Sequence, residues 1–290
     1  MRVVFATDLS EASRSAICSR TCLHCLNAIG VTDIHLFTVV PDNVSGSLPG
    51  MDAVSDAHEA LDAQRETFEA AGFEVETHVA RGTPYRRING LAERLPADMT
   101  VIGSRGQSPL RNRFIGDTVR NVARTSVVPL LVERIDADAE TGADGVTAVH
   151  NEHLFREVLY VTDFSENAQR AYEFLPRLRR ATERVTLLHV REREQKTQGE
   201  SADDARELLA ERAADLEGRI DVETEISLRS GEAVEEILAE ERRIDPTLTV
   251  MGARGTSRLR RLLLGNVSES VVARGDTNIL LVPPASVPPR

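Results

Sequence analysis

The stretch GARGTSRLRRLLLGNVSES, residues 252–270, follows the apolar run LTVM and sets Arg254, Arg258, Arg260 and Arg261 among three glycines, just ahead of a helix-start pattern. The whole chain has a formal charge of -11, yet no acid occurs here before Glu269. The glycines Gly252, Gly255 and Gly265 follow a G-x2-G-x9-G spacing and lead into Asn266, Val267 and Ser268. Glycines after a strand admit close approach of backbone to a ligand, and a following helix offers unpaired N–H groups and the positive end of its dipole. Guanidinium groups hold phosphate oxygens in paired hydrogen bonds. The segment therefore reads as a site for a phosphate-bearing anion. It is neither G-x-x-x-x-G-K-[ST] nor G-x-G-x-x-G.

The same order of motifs occurs twice. VVFATDLSE (3–11) answers LYVTDFSE (159–166), and HLFTVV (35–40) answers TLLHVR (186–191). FEVETHVARGTP (73–84) answers IDVETEISLRSGEA (220–233), DMTVIGSRG (98–106) answers PTLTVMGARG (246–255), and VVPLLVE (127–133) answers NILLVPP (278–284). This is a tandem duplication. It divides the 290 residues into a first domain (1–135), a polar linker (136–152) poor in large apolar residues, and a second domain (153–290). In each copy, short Val/Ile/Leu runs without strict alternation alternate with helix-spaced stretches such as 55–72 and 201–218, both ending in glycine. Continuous apolar strands alternating with helices indicate an α/β, Rossmann-like unit: a five-stranded parallel sheet with four helices covering both faces. Such sheets bind ligands beyond the carboxyl ends of their strands, at the topological switch point.

Composition narrows the partners. A net acidic chain with 4% aromatic residues and no tryptophan offers neither a general nucleic-acid surface nor stacking platforms. MRVVFATDLSEAS turns polar too early for a signal peptide, and no apolar run approaches membrane-spanning length. The expectation is a cytoplasmic protein with no membrane and no nucleic-acid partner.

The glycine spacing, the TDFSE turn after the first strand, the LLHV end of the second and the GxxG exit of the fourth resemble the universal stress protein family. The likeness covers both halves, about 135 residues each. In nucleotide-binding members, the turn aspartate contacts the adenosine moiety, the end of strand two meets the adenine, and the glycine loop wraps the phosphates. By that resemblance, Thr162 and Asp163 hold the base and ribose and Val190 the adenine. Met251, Gly252, Arg254, Gly255, Gly265, Asn266, Val267 and Ser268 then hold the phosphates. The matching, weaker positions of the first half are Thr7, Asp8, Val39, Gly103, Arg105, Gly106, Gly116 and Thr118. The implied ligand is ATP or another adenine nucleotide, with Mg or Mn as accompanying ion. Stress adaptation is the implied role, with at most slow ATP hydrolysis. The family also implies an intramolecular pseudo-dimer through the last strands, and leaves a further homodimer open.

Two departures bear on the sites. Asn266 stands where a Ser or Thr normally follows the third glycine. In the first half that position is Asp117, whose carboxylate repels phosphate, and the charge over 103–118 is only +2, from Arg105, Arg111 and Arg113 against Asp117. The second half is therefore the better triphosphate site. Asp8-x-x-Glu11, Asp163-x-x-Glu166 and Asn266-x-x-Glu269 equally fit helix capping boxes, so capping and ligand contact both stand as roles.

Two other function classes stay open: an interaction module that has lost nucleotide binding, and a redox or metal protein built on Cys18, Cys22 and Cys25. The cysteines fall at i, i+4 and i+7 within a predicted helix, which favours packing over a cluster loop. An odd cysteine count makes a disulfide framework unexpected. His189 reads as a strand residue near the sheet end, without a catalytic role.

Overall fold

Strand formation follows the apolar runs. The computed structural model describes residues 1–10, 23–42, 53–104, 116–134, 153–191, 201–254 and 264–285, and the chain divides into two units, Met1–Glu152 and His153–Arg290. The first unit contains β1 (Arg2–Ala6), α1 (Leu23–Ala28), β2 (Asp33–Val40), α2 (Ala53–Ala70), β3 (Glu74–Arg81), α3 (Pro84–Arg94), β4 (Met99–Gly103), α4 (Asp117–Thr125) and β5 (Leu130–Glu133). The second repeats the order with β6 (Glu157–Thr162), α5 (Glu166–Phe174), a 3-10 turn (Leu175–Leu178), β7 (Arg184–Arg191), α6 (Ala202–Arg219), β8 (Glu223–Ser230), α7 (Ala233–Ile244), β9 (Leu248–Gly252), α8 (Asn266–Arg274) and β10 (Asn278–Val282). The proposed linker lies outside the described residues.

Strand order in the first unit is β3-β2-β1-β4-β5, and in the second β8-β7-β6-β9-β10, with the paired strands parallel. Each chain path runs outward from its first strand, then returns to that strand's other side. The switch point falls between β1 and β4, and between β6 and β9, as expected for this doubly wound α/β fold. The strands flanking the switch are apolar because helices cover both faces: every residue of β9 is buried, as is all of β6 after Glu157. β3 (EVETHVAR) and β8 (ETEISLRS), each paired on one side only within its unit, are mostly half-buried or exposed and carry two glutamates and an arginine each, which discourages further pairing.

Helix boundaries follow local chemistry with one correction. Ser201 and Asp204 form a reciprocal capping box at the start of α6 (3.0 Å each way). The helix does not stop at Gly218, however, but runs to Arg219, while the chain after α2 does turn at Gly72, with φ +93°. Core packing in the second unit centres on Tyr160, fully buried on β6. Its hydroxyl donates to the Ala168 carbonyl (2.8 Å), and burial pushes its pKa up to about 12.

A buried ion-pair cluster ties α7 to β8. The Glu240 side chain is 1% exposed and accepts from Arg229 (2.6 and 3.0 Å) and Arg243 (2.7 and 3.0 Å). Burial alone would raise its pKa, but hydrogen bonds from Arg243, Ser227 and Arg229 outweigh it and bring the carboxyl to about 2. Because the folded pKa lies below the ordinary 4.5, the stabilisation is complete above pH 4.5 and is lost as pH falls towards 2. Glu240→Ala leaves two guanidiniums without their acceptor. Both remain partly in water, so the expected cost is about 3 kcal/mol, at the low end for a broken buried pair. Urea unfolding followed between pH 7 and pH 3 checks this: the wild-type advantage should shrink with acid, and an unchanged midpoint at pH 7 would refute the account.

Candidate functional site

The crevice at the second switch point is built from the turn that leaves β6. Thr162 Oγ1 accepts from the Phe164 amide (3.0 Å), Asp163 Oδ1 from the Ser165 amide (3.0 Å), and Ser165 Oγ from the Ala168 amide (3.2 Å). Three side chains among four consecutive residues, Thr162, Asp163 and Ser165, thus each accept from a backbone amide as strand becomes helix. The turn requires a left-handed residue, and Phe164 supplies it at φ +56°. That conformation costs a non-glycine residue about 1–2 kcal/mol. It is braced by the His189 ring (centroids 4.5 Å apart) and by the Arg212 guanidinium, 5.4 Å over the Phe164 ring. His189 also places Nδ1 2.8 Å from the Thr162 carbonyl, which only accepts, so Nδ1 carries the proton. The result presents the exposed Asp163 at the carboxyl end of β6.

The first unit makes the same turn. Leu9 N donates to Thr7 Oγ1 (3.2 Å), Ser10 N donates to Asp8 Oδ1 (3.1 Å), and Leu9 has φ +59°.

Two of the capping boxes read from sequence are corrected. The N-cap of α5 is Ser165, with Glu166 already in the first turn, so Asp163 lies two residues ahead of the cap. The N-cap of α8 is Gly265, which makes Asn266 the first helical residue. Gly265 offers no side chain to cap the first turn, and neither does Gly116 at the start of α4. Glu11, needed for the third box, falls outside the described residues.

Gly252 has a packing role in addition to the one its position suggests. A Cβ there would lie 2.9 Å from the Asn167 carbonyl carbon, 3.0 Å from its oxygen and 3.1 Å from the Ala168 nitrogen. The missing side chain therefore admits the first turn of α5 against the end of β9. Ser268 Oγ donates to the Gly252 carbonyl (2.9 Å), spending the hydroxyl's one proton on fastening α8 to β9. Ala253 N bonds Val282 O and Gly265 N bonds Ala253 O, both at 2.9 Å, so the two ends of the glycine segment are held together. In the first unit, Ser104 N to Glu133 O (2.7 Å) and Gly116 N to Ser104 O (3.3 Å) repeat this.

The two switch points thus gather Asp163, Met251, Gly252, Gly265, Asn266, Val267 and Ser268 in one unit, and Asp8, Gly103, Gly116 and Thr118 in the other. Arg254 is half-buried, and burial lowers the pKa of its guanidinium from the ordinary value. Thr162 and Thr7 are buried, with hydroxyls engaged in their own turns, while Val190 and Val39 are half-buried at the ends of β7 and β2. Gly255, Arg105 and Gly106, with the arginines at 258, 260 and 261, lie outside the described residues. Asp117 occupies the first residue of α4 with its side chain 83% exposed, 3.9 Å from Arg120. Arg212, which with His189 braces the turn at Phe164, was not legible as a site residue, because α6 reaches that turn only through tertiary packing. Cys25 is buried in α1, in line with a packing role, but it is disulfide-bonded, which corrects the expectation of no disulfide; Cys18 and Cys22 lie outside the described residues.

Comparison with known proteins places this geometry. The sequence model of the universal stress protein family matches residues 1–134 and again 154–283. A universal stress protein of Methanocaldococcus jannaschii is 27% identical over 141 residues, 45% of this chain and 80% of its own length. Universal stress protein G of Salmonella typhimurium is 34% identical over 110 residues, 35% of this chain and 77% of its own. The crystal structure of a universal stress protein from Archaeoglobus fulgidus superposes with a TM-score of 0.73 at 26% identity, covering 97% of this chain and 98% of that one. With the family pattern matched twice and the α/β architecture shared end to end, the chain belongs to the universal stress protein family as a tandem, two-unit member.

Proposed function

We propose that the second unit binds an adenine nucleotide, ATP in the first instance, and that the protein acts as a nucleotide-responsive regulator in stress adaptation. The observation that carries this reading is the start of α8. Its N-cap is a glycine without a capping side chain, its first turn is fastened to β9 through Ser268, and it sits at the switch point beside the exposed Asp163. A helix start so placed offers amide hydrogens and a positive dipole to phosphate oxygens. A carboxylate at the neighbouring strand end accepts from ribose hydroxyls or a base amine. Arg254 adds a cation at the head of the glycine segment, and Mg or Mn would accompany the polyphosphate through the ligand's own oxygens. Ser268 acts by holding the helix in register, leaving phosphate contact to backbone amides.

A second reading applies to the first unit. Asp117 places a carboxylate in the first turn of α4, where a phosphate would approach, and like-charge repulsion favours a unit that takes a smaller ligand or works through protein contacts.

Isothermal calorimetry with ATP and Mg tests both readings. The parent should bind about one equivalent. Asp163→Ala should weaken binding at least about tenfold, the worth of one charge-assisted hydrogen bond, while Asp8→Ala leaves it unchanged. No heat from the parent would remove the nucleotide reading in favour of an interaction module. Ser268→Ala should cost about 1 kcal/mol of stability in urea and loosen ATP only a few-fold. A loss as deep as that of Asp163→Ala would instead make the hydroxyl a direct ligand.

A further inference from the structure

We propose that the first unit carries a zinc-binding site, separate from the nucleotide crevice, formed by His35 Nδ1 on β2 with His78 Nε2 and a Glu76 carboxylate oxygen on β3. The register brings them together: His35 lies opposite Glu76 and Phe37 opposite His78, so all three project from the same face of the sheet. The two imidazole nitrogens are 2.9 Å apart, and Glu76 Oε2 lies 3.5 Å from His35 Nδ1 and 3.8 Å from His78 Nε2. Ligand atoms about 2.0–2.2 Å from a tetrahedral zinc stand about 3.3–3.6 Å from one another, so the triangle needs only small side-chain adjustments to accept the ion.

The donor set also fits. Two imidazoles and one carboxylate suit zinc and leave a fourth position for water. His35 is 6% exposed, His78 28% and Glu76 71%, so the site has a fixed inner ligand and an open outer one through which the ion enters. Burial lowers the pKa of both histidines, against the pull of Glu76. In the metal-free protein one of the facing nitrogens must carry a proton to hydrogen-bond the other. On binding, that imidazole takes its other tautomer, and both lone pairs face the ion.

The second unit supplies an internal control. Its register places Thr186 opposite Glu225 and Leu188 opposite Ser227, so the carboxylate persists while both imidazoles are replaced. The feature is thus not a by-product of the shared fold. Nor does it belong to the crevice: His35 precedes Val39 by four strand positions, about 13 Å towards the opposite end of the sheet.

The test uses the full chain, stripped of metal, titrated with Zn²⁺ against a chromophoric chelator and separately with Co²⁺. One equivalent of Zn²⁺ should bind at micromolar or better affinity. Co²⁺ should give a four-coordinate visible spectrum without a thiolate charge-transfer band. His78→Ala, at a half-exposed edge position, should weaken Zn²⁺ at least a hundredfold, and Glu76→Gln about tenfold, while the metal-free melting curve of each stays within a few degrees of the parent. His35→Asn provides a second loss-of-ligand variant. Binding no tighter than millimolar, binding indifferent to His78→Ala, or a strong thiolate band marking the cysteines as ligands would each overturn the proposal.

Discussion

The second unit is organised around one peptide group. The carbonyl of Gly252 accepts the Ser268 hydroxyl, and the absent side chain of the same residue lets the backbone of Asn167 and Ala168 approach to a distance no Cβ would tolerate. Two helix starts, those of α5 and α8, are thereby brought to one strand end. Neither approach works alone. If α5 stood farther off, the Asp163 turn would face empty space; if α8 were not fastened, its first turn would drift from the crevice. Helix starts are useful to an anion only when their direction is fixed, because the dipole acts within about one turn. A glycine chosen for close packing therefore sets the electrostatics of the site.

This explains why the architecture was legible and the role of individual glycines was not. Continuous apolar runs such as LTVM and VLYV announce strands buried on both faces, and their recurrence in one order announces two α/β units. Pattern alone does not distinguish a glycine needed for positive φ from one needed for want of a Cβ. Gly252 is the second kind, and Gly265 a third, a helix cap with no side chain to offer. Capping was misplaced by one or two residues for the same reason: Asp163, Ser165, Asn266 and Gly265 are all acceptable N-caps by type, and only the tertiary position of the helix selects among them.

Features that depend on strand register or burial left no trace in the sequence. Glu240 sits among charged neighbours in α7 and reads as solvated surface, yet it is buried because Arg229 on β8 and Arg243 one turn along converge on it. His35 and His78 are separated by a whole helix, and nothing in their spacing brings them together. Only the pairing of β2 with β3 does so. Both cases involve polar groups at the margin of a sheet, where hydrophobic periodicity is weakest.

The duplication separates what the fold demands from what each copy has elaborated. The residue forced into left-handed conformation is leucine in one unit and phenylalanine in the other, at φ +59° and +56°. Bracing of Phe164 by His189 and Arg212 therefore cannot be what imposes the turn, since Leu9 has no ring to stack. The common elements are the threonine hydroxyl accepting from the amide two residues on and the aspartate accepting from the amide after that. Those bonds hold the strained residue in both copies, and the aromatic contacts of the second unit are an addition that stiffens a geometry already specified. Edge strands diverged more freely. Where the first unit pairs two imidazoles with Glu76, the second has Thr186, Glu225 and Ser227, as expected if the sheet margin is open to change while the switch point is held by the backbone hydrogen bonds that define it.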